Sequence, residues 1–151
     1  MSIKIRLAAI ALAICPPFLT AGAQEPNELI AELSVGTIDL VRINLNAWGS
    51  TLGFEEVVAG NDPRIAALIE LIRNAEPGTG HKCANVGAVR FLIAKGRQIA
   101  LGILPSHDET GFELRLYSGE QYVGVVRVDR DHILSVLEDM GVPTDNPWLR
   151  P

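Results

Sequence analysis

Hydrophobic and polar residues alternate most clearly in the segment that contains Phe112, Leu114 and Leu116. A period of two is typical of a β-strand with one buried side and one solvent-facing side. Three further segments have a strand-like pattern: Val86–Ala94, Arg97–Leu104 and Tyr122–Val128. The turns at Lys95-Gly96 and Ser118–Gln121 and the loop Pro105–Thr110 separate these segments, so the pattern predicts two consecutive β-hairpins.

Two other segments have the apolar spacing of amphipathic helices. The first begins at Asp62-Pro63, because Asp62 can cap the first N–H groups and Pro63 suits the first helical position. It extends to Ala75, and the second helix covers Asp131–Met140 after a cap at Asp129 or Asp131.

A further strand is predicted over Val41–Leu45, where apolar and polar residues again alternate. Ile38 and Leu40 have the opposite phase. Either the strand includes them through a bulge near Leu40, or it begins after them.

These elements predict an α+β fold. We expect a mostly antiparallel sheet of four to five strands, made of two consecutive hairpins and an extra strand, with the two helices packed on one face. The core face of the hairpins is expected to carry Val89, Phe91, Ile93, Ile99, Leu101, Ile103, Phe112, Leu114, Leu116, Val126 and Val128.

The positions that point away from this core are also small or apolar: Ala88, Leu92, Ala100, Gly102, Val123 and Val125. We expect either that the Trp48–Gly60 segment covers this face or that the face offers an apolar patch to a partner.

The N-terminal residues have the pattern of an export signal. Lys4 and Arg6 precede the apolar run Leu7–Ile14, and Ala21-Gly22-Ala23 supplies small residues at a cleavage site. We predict a cleaved signal peptide at residues 1–23, a single α+β domain at 24–151, and a periplasmic or secreted location. Cleavage after Ala23 is preferred over lipidation at Cys15, because Ile14 does not fit the small residue that precedes a lipidated cysteine. The apolar run is too short for a permanent membrane span.

The chain is acidic, with 13 Lys and Arg against 18 Asp and Glu. Removal of Lys4 and Arg6 with the signal would change the net charge from −5 to 11 − 18 = −7. An acidic surface disfavours nucleic acid and anionic membranes as partners and favours a basic protein.

Few residues offer catalytic or metal-binding chemistry. His81 and Cys83 are two residues apart, but no recognised metal-binding spacing surrounds them. Ser106-His107-Asp108 contains the residue types of a catalytic triad, yet consecutive side chains cannot converge in triad geometry. Once Cys15 is removed, Cys83 has no intramolecular partner and could form a disulfide between two chains.

One hairpin turn resembles a known motif. Ser118-Gly119-Glu120-Gln121-Tyr122 is similar to the Ser-Gly-x-x-Tyr loop of bacterial periplasmic lysozyme inhibitors. This resemblance implies a loop that enters the cleft of a lysozyme, which is commonly a basic protein. That family is an all-β barrel, usually with a disulfide. This chain differs in having two predicted helices and, once Cys15 is removed with the signal, a single cysteine. Ordinary turn chemistry also accounts for the same residues.

We therefore predict a small exported, non-enzymatic binding protein with no metal or cofactor, possessing an inhibitor or immunity-type role in the bacterial periplasm. The expected partner is another protein. The candidate partner-binding residues are Ser118, Gly119, Tyr122, His107 and Asp108, and a homodimer could form through Cys83. A lysozyme-inhibitor-like protein and a thiol-dependent enzyme that uses Cys83 with a histidine are the alternatives.

Overall fold

A computed structural model describes residues 25–45, 54–104, 110–145 and 149 of the chain. This part of the chain contains three α-helices and seven β-strands and confirms the α+β class. The helices are α1 (Pro26–Ala31), α2 (Pro63–Arg73) and α3 (Arg130–Asp139). The strands are β1 (Ile38–Leu45), β2 (Phe54–Ala59), β3 (Glu76–Pro77), β4 (Gly87–Ile93), β5 (Arg97–Ile103), β6 (Gly111–Ser118) and β7 (Gln121–Asp129).

The seven strands form a single antiparallel sheet in the order β2-β1-β4-β5-β6-β7-β3. The prediction of four to five strands was too low, because it missed β2 and β3 at the two edges. At the centre of β2, two charged residues are followed by two apolar residues, Glu55-Glu56 and Val57-Val58. Apolar and polar residues therefore do not alternate there, and the sequence gives no strand pattern. β3 has only 2 residues and contains Pro77, which a sheet accepts at its edge.

Strand β1 begins at Ile38 and has a register shift between Ile38 and Leu40 against β4. Of the two alternatives, the strand that includes Ile38 and Leu40 through a bulge is therefore the correct one. The bulge turns Ile38 to the same side as Val41 and Ile43, where all three are buried.

The core lies between one face of the sheet and the three helices. Every residue predicted for the core face of the hairpins is buried. Ile65, Leu68 and Ile72 of α2 and Ile133 and Leu137 of α3 belong to the same apolar cluster. The third helix, α1, adds Leu29 to that cluster and exceeds the two helices expected.

Carboxylates cap the two longer helices. Asp62 accepts a hydrogen bond from the Arg64 N–H at 2.9 Å, as predicted, and Asp129 accepts one from the His132 N–H at 2.8 Å. The cap of α3 is therefore Asp129 rather than Asp131. The Arg64 side chain also bonds to Asp62, and these hydrogen bonds lower the pKa of Asp62 from 3.8 to about 2.

After β3, the chain passes over the sheet face that lies opposite the helices and enters β4 in the middle of the sheet. We call residues 78–86 the crossing segment and this face of the sheet the outer face. Phe54–Ala59 does not cover the outer face, because it is an edge strand within the sheet; residues 48–53 lie outside the described part of the chain.

The proposed signal peptide also lies outside the described residues. None of the helices in the described ranges is long and apolar enough to cross a membrane.

Candidate functional site on the outer face

Six strands align one side chain each across the outer face. Arg42 of β1 pairs with Val57 of β2 on one side and with Arg90 of β4 on the other. The alignment continues through Ala100 of β5 and Tyr117 of β6 to Tyr122 of β7. We call these residues the outer row: Val57, Arg42, Arg90, Ala100, Tyr117 and Tyr122. At a strand spacing of about 4.8 Å, the row is roughly 24 Å long.

The centre of the outer row places two arginines directly opposite each other. Like charges at such a cross-strand position are destabilising unless other groups compensate for them. Arg42 pairs with Glu55 at 3.3 Å, and Arg90 donates a hydrogen bond to the Asn44 side chain. These contacts fix two guanidinium groups on the outer face, and the Arg42 side chain remains half exposed.

Two tyrosines form the other end of the outer row. The rings of Tyr117 and Tyr122 meet edge to face, with their centroids 6.0 Å apart. Tyr122 is 56% exposed, one of two large hydrophobic residues that are exposed in the described part of the chain; the other, Val57, begins the row. Exposed apolar surface is thus present at both ends of the row.

The Ser118–Gln121 turn that joins these tyrosines is tight. Gly119 has a φ of +61°, and Ser118 pairs with Gln121, so only two residues connect the strands. A left-handed glycine at the first of these positions is typical of a type II′ turn. The Gly119 N–H donates to the Gln98 carbonyl oxygen at 2.8 Å, which ties the turn to β5. Ser118, Gly119 and Tyr122 are therefore close together on a short, anchored hairpin.

The crossing segment covers another part of the outer face, and Glu113 of β6 is its main anchor. The Glu113 side chain accepts hydrogen bonds from the Thr79 N–H and hydroxyl, both at 2.9 Å, and its Oε2 lies 3.9 Å from His81 Nε2. Burial raises the pKa of Glu113, but the hydrogen bonds from Thr79 and Gly80 and the nearby His81 outweigh it, so the pKa lies below its usual value.

Arg115 is the second anchor of the crossing segment. It donates to the Asn85 side chain at 3.2 Å and to the His81 carbonyl oxygen. The Asn85 side chain occupies the space that a Cβ at Gly102 would need, and a Cβ at Gly78 would lie 2.5 Å from Val125. The two glycines let the crossing segment lie directly on the sheet.

The outward positions predicted from the alternation are not a single open apolar patch. Gly102 and Val125 lie against the crossing segment, and Ala88 and Ala100 are 8% exposed. Val123 was assigned to the wrong side: the register shift at Leu116/Tyr117 turns it toward the core, against which it packs.

Three of the five predicted binding residues, Ser118, Gly119 and Tyr122, lie in the described part of the chain. His107 and Asp108 are outside the described residues. Their described neighbours Leu104 and Thr110 are near the start of β6, whereas Ser118 is at its end. The eight residues of β6 separate these ends by roughly 25 Å, since a strand rises about 3.3 Å per residue.

Cys83 is partly exposed and belongs to the crossing segment, as does His81, whose imidazole faces Glu113. Within the described ranges, no three His, Cys, Asp or Glu side chains are close enough together to hold a metal ion.

Sequence reasoning missed the outer row and the anchors Glu113 and Arg115. Alternation does place Arg42, Arg90 and Tyr117 on one face, but the row appears only when the strand order and registers are known. Comparisons with protein-family models, curated proteins and solved structures give no match to this chain.

Proposed function

We propose that this is an exported, non-enzymatic protein that binds another protein through the outer row. The observation that carries the proposal is the alignment of two arginines and two tyrosines across one sheet face, while the helices cover the opposite face. Tyrosine and arginine are enriched at protein interfaces and at their energetic centres. Support for export comes from the residue pattern of positions 1–23.

The outer row suggests how the contact is made. Tyr117 and Tyr122 offer an aromatic surface for an apolar group, and Arg42 and Arg90 offer guanidinium groups for carboxylates or carbonyl oxygens. The net charge is −5 for the full chain and would be −7 after removal of residues 1–23, and it still favours the approach of a basic protein at long range. The proposed partner is thus a protein of basic overall charge whose contact patch combines apolar and acceptor groups. An inhibitor or immunity-type role fits such a surface.

The binding proposal is tested by immobilising the purified protein and capturing partners from the periplasmic or secreted fraction of its source. We expect Tyr122→Ala to weaken capture by about tenfold or more, the effect of losing an interface tyrosine worth over 1.4 kcal/mol. Glu120→Ala, an exposed neighbour in the same turn, is the matched control and should capture normally. Equal capture by both variants, with unchanged unfolding midpoints, would contradict binding through the row.

A lysozyme inhibitor is a second candidate, because Ser118, Gly119 and the exposed Tyr122 occur together on one hairpin. The measurement is the rate of cell-wall lysis by a lysozyme with and without excess protein. Inhibition that Tyr122→Ala removes and Glu120→Ala retains would support this candidate. Unchanged lysis would exclude the lysozyme tested as the partner.

The proposals for Cys83 are separate from the outer row. In an oxidising compartment the partly exposed sulfur can form a disulfide with the same residue of a second chain. A covalent dimer on a non-reducing gel that disappears in Cys83→Ser would support this homodimer. Loss of a turnover activity in Cys83→Ser would instead support the alternative of a thiol-dependent enzyme.

A further inference from the structure

We propose that a second copy of this chain pairs with the edge of β2 that faces away from β1, in antiparallel orientation, so that the two sheets become one. This inference concerns self-association and does not depend on the outer-row partner or on Cys83. It rests on the hydrogen-bonding direction of β2, on the contrast between the two sheet edges, and on the charges that each possible register brings together.

The backbone of β2 has groups directed away from the rest of the sheet. β2 is the first strand in the order, and within the described part of the chain it pairs only with β1. The Gly60 N–H donates to the Asp39 carbonyl oxygen at 3.0 Å, so the even-numbered positions of this strand bond to β1. Antiparallel pairing alternates, and the N–H and C=O groups of Glu55, Val57 and Ala59 therefore point outward.

The two edges of the sheet differ in how they are protected. The opposite edge, β3, has 2 residues, one of which is Pro77 and has no N–H to donate. β2 has 6 residues without a proline, and its pairing with β1 is regular from Leu40↔Ala59 to Leu45↔Phe54. At its middle, Val57 is 50% exposed. A regular edge with an exposed β-branched residue is suited to pairing with another strand.

Charge selects the register of the pair. A two-fold axis perpendicular to the sheet places the outer faces of the two copies on the same side. Such an axis can pass beside either of the two middle residues of β2, Glu56 or Val57, and each choice gives one register. One register places Glu56 opposite Glu56 of the second copy, and like charges at directly opposed positions are destabilising. The other places Val57 opposite Val57, Glu56 opposite Val58 and Glu55 opposite Ala59. We assign this second register, because it places no two like charges directly opposite each other and brings the two half-exposed Val57 side chains together.

The register is tested by disulfide trapping with single cysteines introduced into Cys83→Ser. In the proposed dimer the two Val57 Cα atoms are about 5.5 Å apart, which is within the range that a disulfide spans. Val57→Cys should therefore give a covalent dimer under mild oxidation, whereas Glu56→Cys should not. Trapping through Glu56→Cys, or through neither cysteine, would overturn the proposed register.

Sedimentation velocity over a range of protein concentrations tests the association itself. The unmodified protein should show a concentration-dependent dimer, which Val57→Pro should convert to monomer because the substitution removes an outward N–H at the centre of the pair. Val57→Thr, which keeps the N–H and the branched shape, is the control and should still dimerise. A protein that is monomeric at every concentration, or a dimer that survives Val57→Pro with its fold intact, would overturn the proposal.

Discussion

Glu113 has a carboxylate that the fold buries almost completely, at 9% exposure. Burial of a charge is costly unless hydrogen bonds and opposite charges compensate for it. The compensation comes from a segment more than thirty residues earlier in the chain, through Thr79 and His81. At the scale of one residue, Glu113 therefore fastens the crossing segment to the sheet.

The lowered pKa of Glu113 makes its contribution to stability dependent on pH. Because the folded state holds the pKa below the usual 4.5, the contribution is fully present above pH 4.5 and decreases as the pH falls through the folded-state value. We expect Glu113→Gln to be about 1–3 kcal/mol less stable than the natural protein near pH 7, since it removes the charged acceptor from two donors.

Urea unfolding of both proteins at a series of pH values measures this effect. The difference in unfolding free energy should shrink below pH 4.5 as Glu113 becomes protonated in the natural protein. A difference that stays constant or grows under acid would show that the Glu113 charge does not stabilise the fold.

Single elements show how far the sequence pattern can be used. The alternation at Phe112, Leu114 and Leu116 identified β6 and its buried side, and the phase change near Leu40 indicated the bulge in β1. Both signals are local, because they depend on the period of side-chain direction along one strand. The same reasoning failed at Val123. The register shift between β6 and β7 makes Val123 an extra residue in β7, and the sequence of β7 shows no change of phase that would indicate this bulge.

The two faces of the sheet can be compared with the same substitution in two strands. Leu114 is 1% exposed on the core face of β6, and Leu92 is partly exposed on the outer face of β4. Leu114→Ala should lower the unfolding free energy by about 2–5 kcal/mol, because it leaves a cavity in a packed core. Leu92→Ala should cost clearly less, since its site is open on one side. Equal losses in chemical denaturation would mean that the faces are wrongly assigned.

Arg115 shows why strand phase alone does not give the energetic role of a residue. Alternation correctly places it on the outer face, where a solvated side chain would contribute little to stability. In the folded chain it is part-buried and holds Asn85 and the backbone of His81. Arg115→Ala therefore belongs with Glu113→Gln as a change that loosens the crossing segment.

At the scale of the whole molecule, the order of the strands is what the sequence leaves open. The β4–β5 and β6–β7 hairpins join neighbours in the chain, and turn residues such as Lys95-Gly96 mark them. The placement of β1 beside β4 and of β3 beside β7 depends on long-range packing, which no short pattern encodes. The outer row is a product of those long-range pairings, which is why Ser118, Gly119 and Tyr122 could be proposed beforehand and Arg42 and Arg90 could not.

Export is a property of the whole chain and is tested by mass spectrometry of the protein recovered outside the cytoplasm. We expect the N-terminal residue to be Gln24, because cleavage after Ala21-Gly22-Ala23 fits the pattern that a signal peptidase reads. Ala23→Arg should block processing, while Thr20→Ser, outside the key positions, should leave it unchanged. Recovery of an intact N-terminus in the cytoplasm would contradict the proposed location.

The crossing segment also sets an order of events during folding. Thr79 and Asn85 are held by residues that lie 34 and 30 positions later in the chain, and Glu76 needs β7 as its partner strand. If the chain leaves a translocation channel with its N-terminus first, this stretch emerges before anything that can hold it. It remains without regular structure until β6 and β7 have formed, and only then can it pack on the outer face of the sheet. Contacts between positions that are distant in the chain form slowly. We therefore expect the packing of the crossing segment on the outer face to be among the last steps of folding.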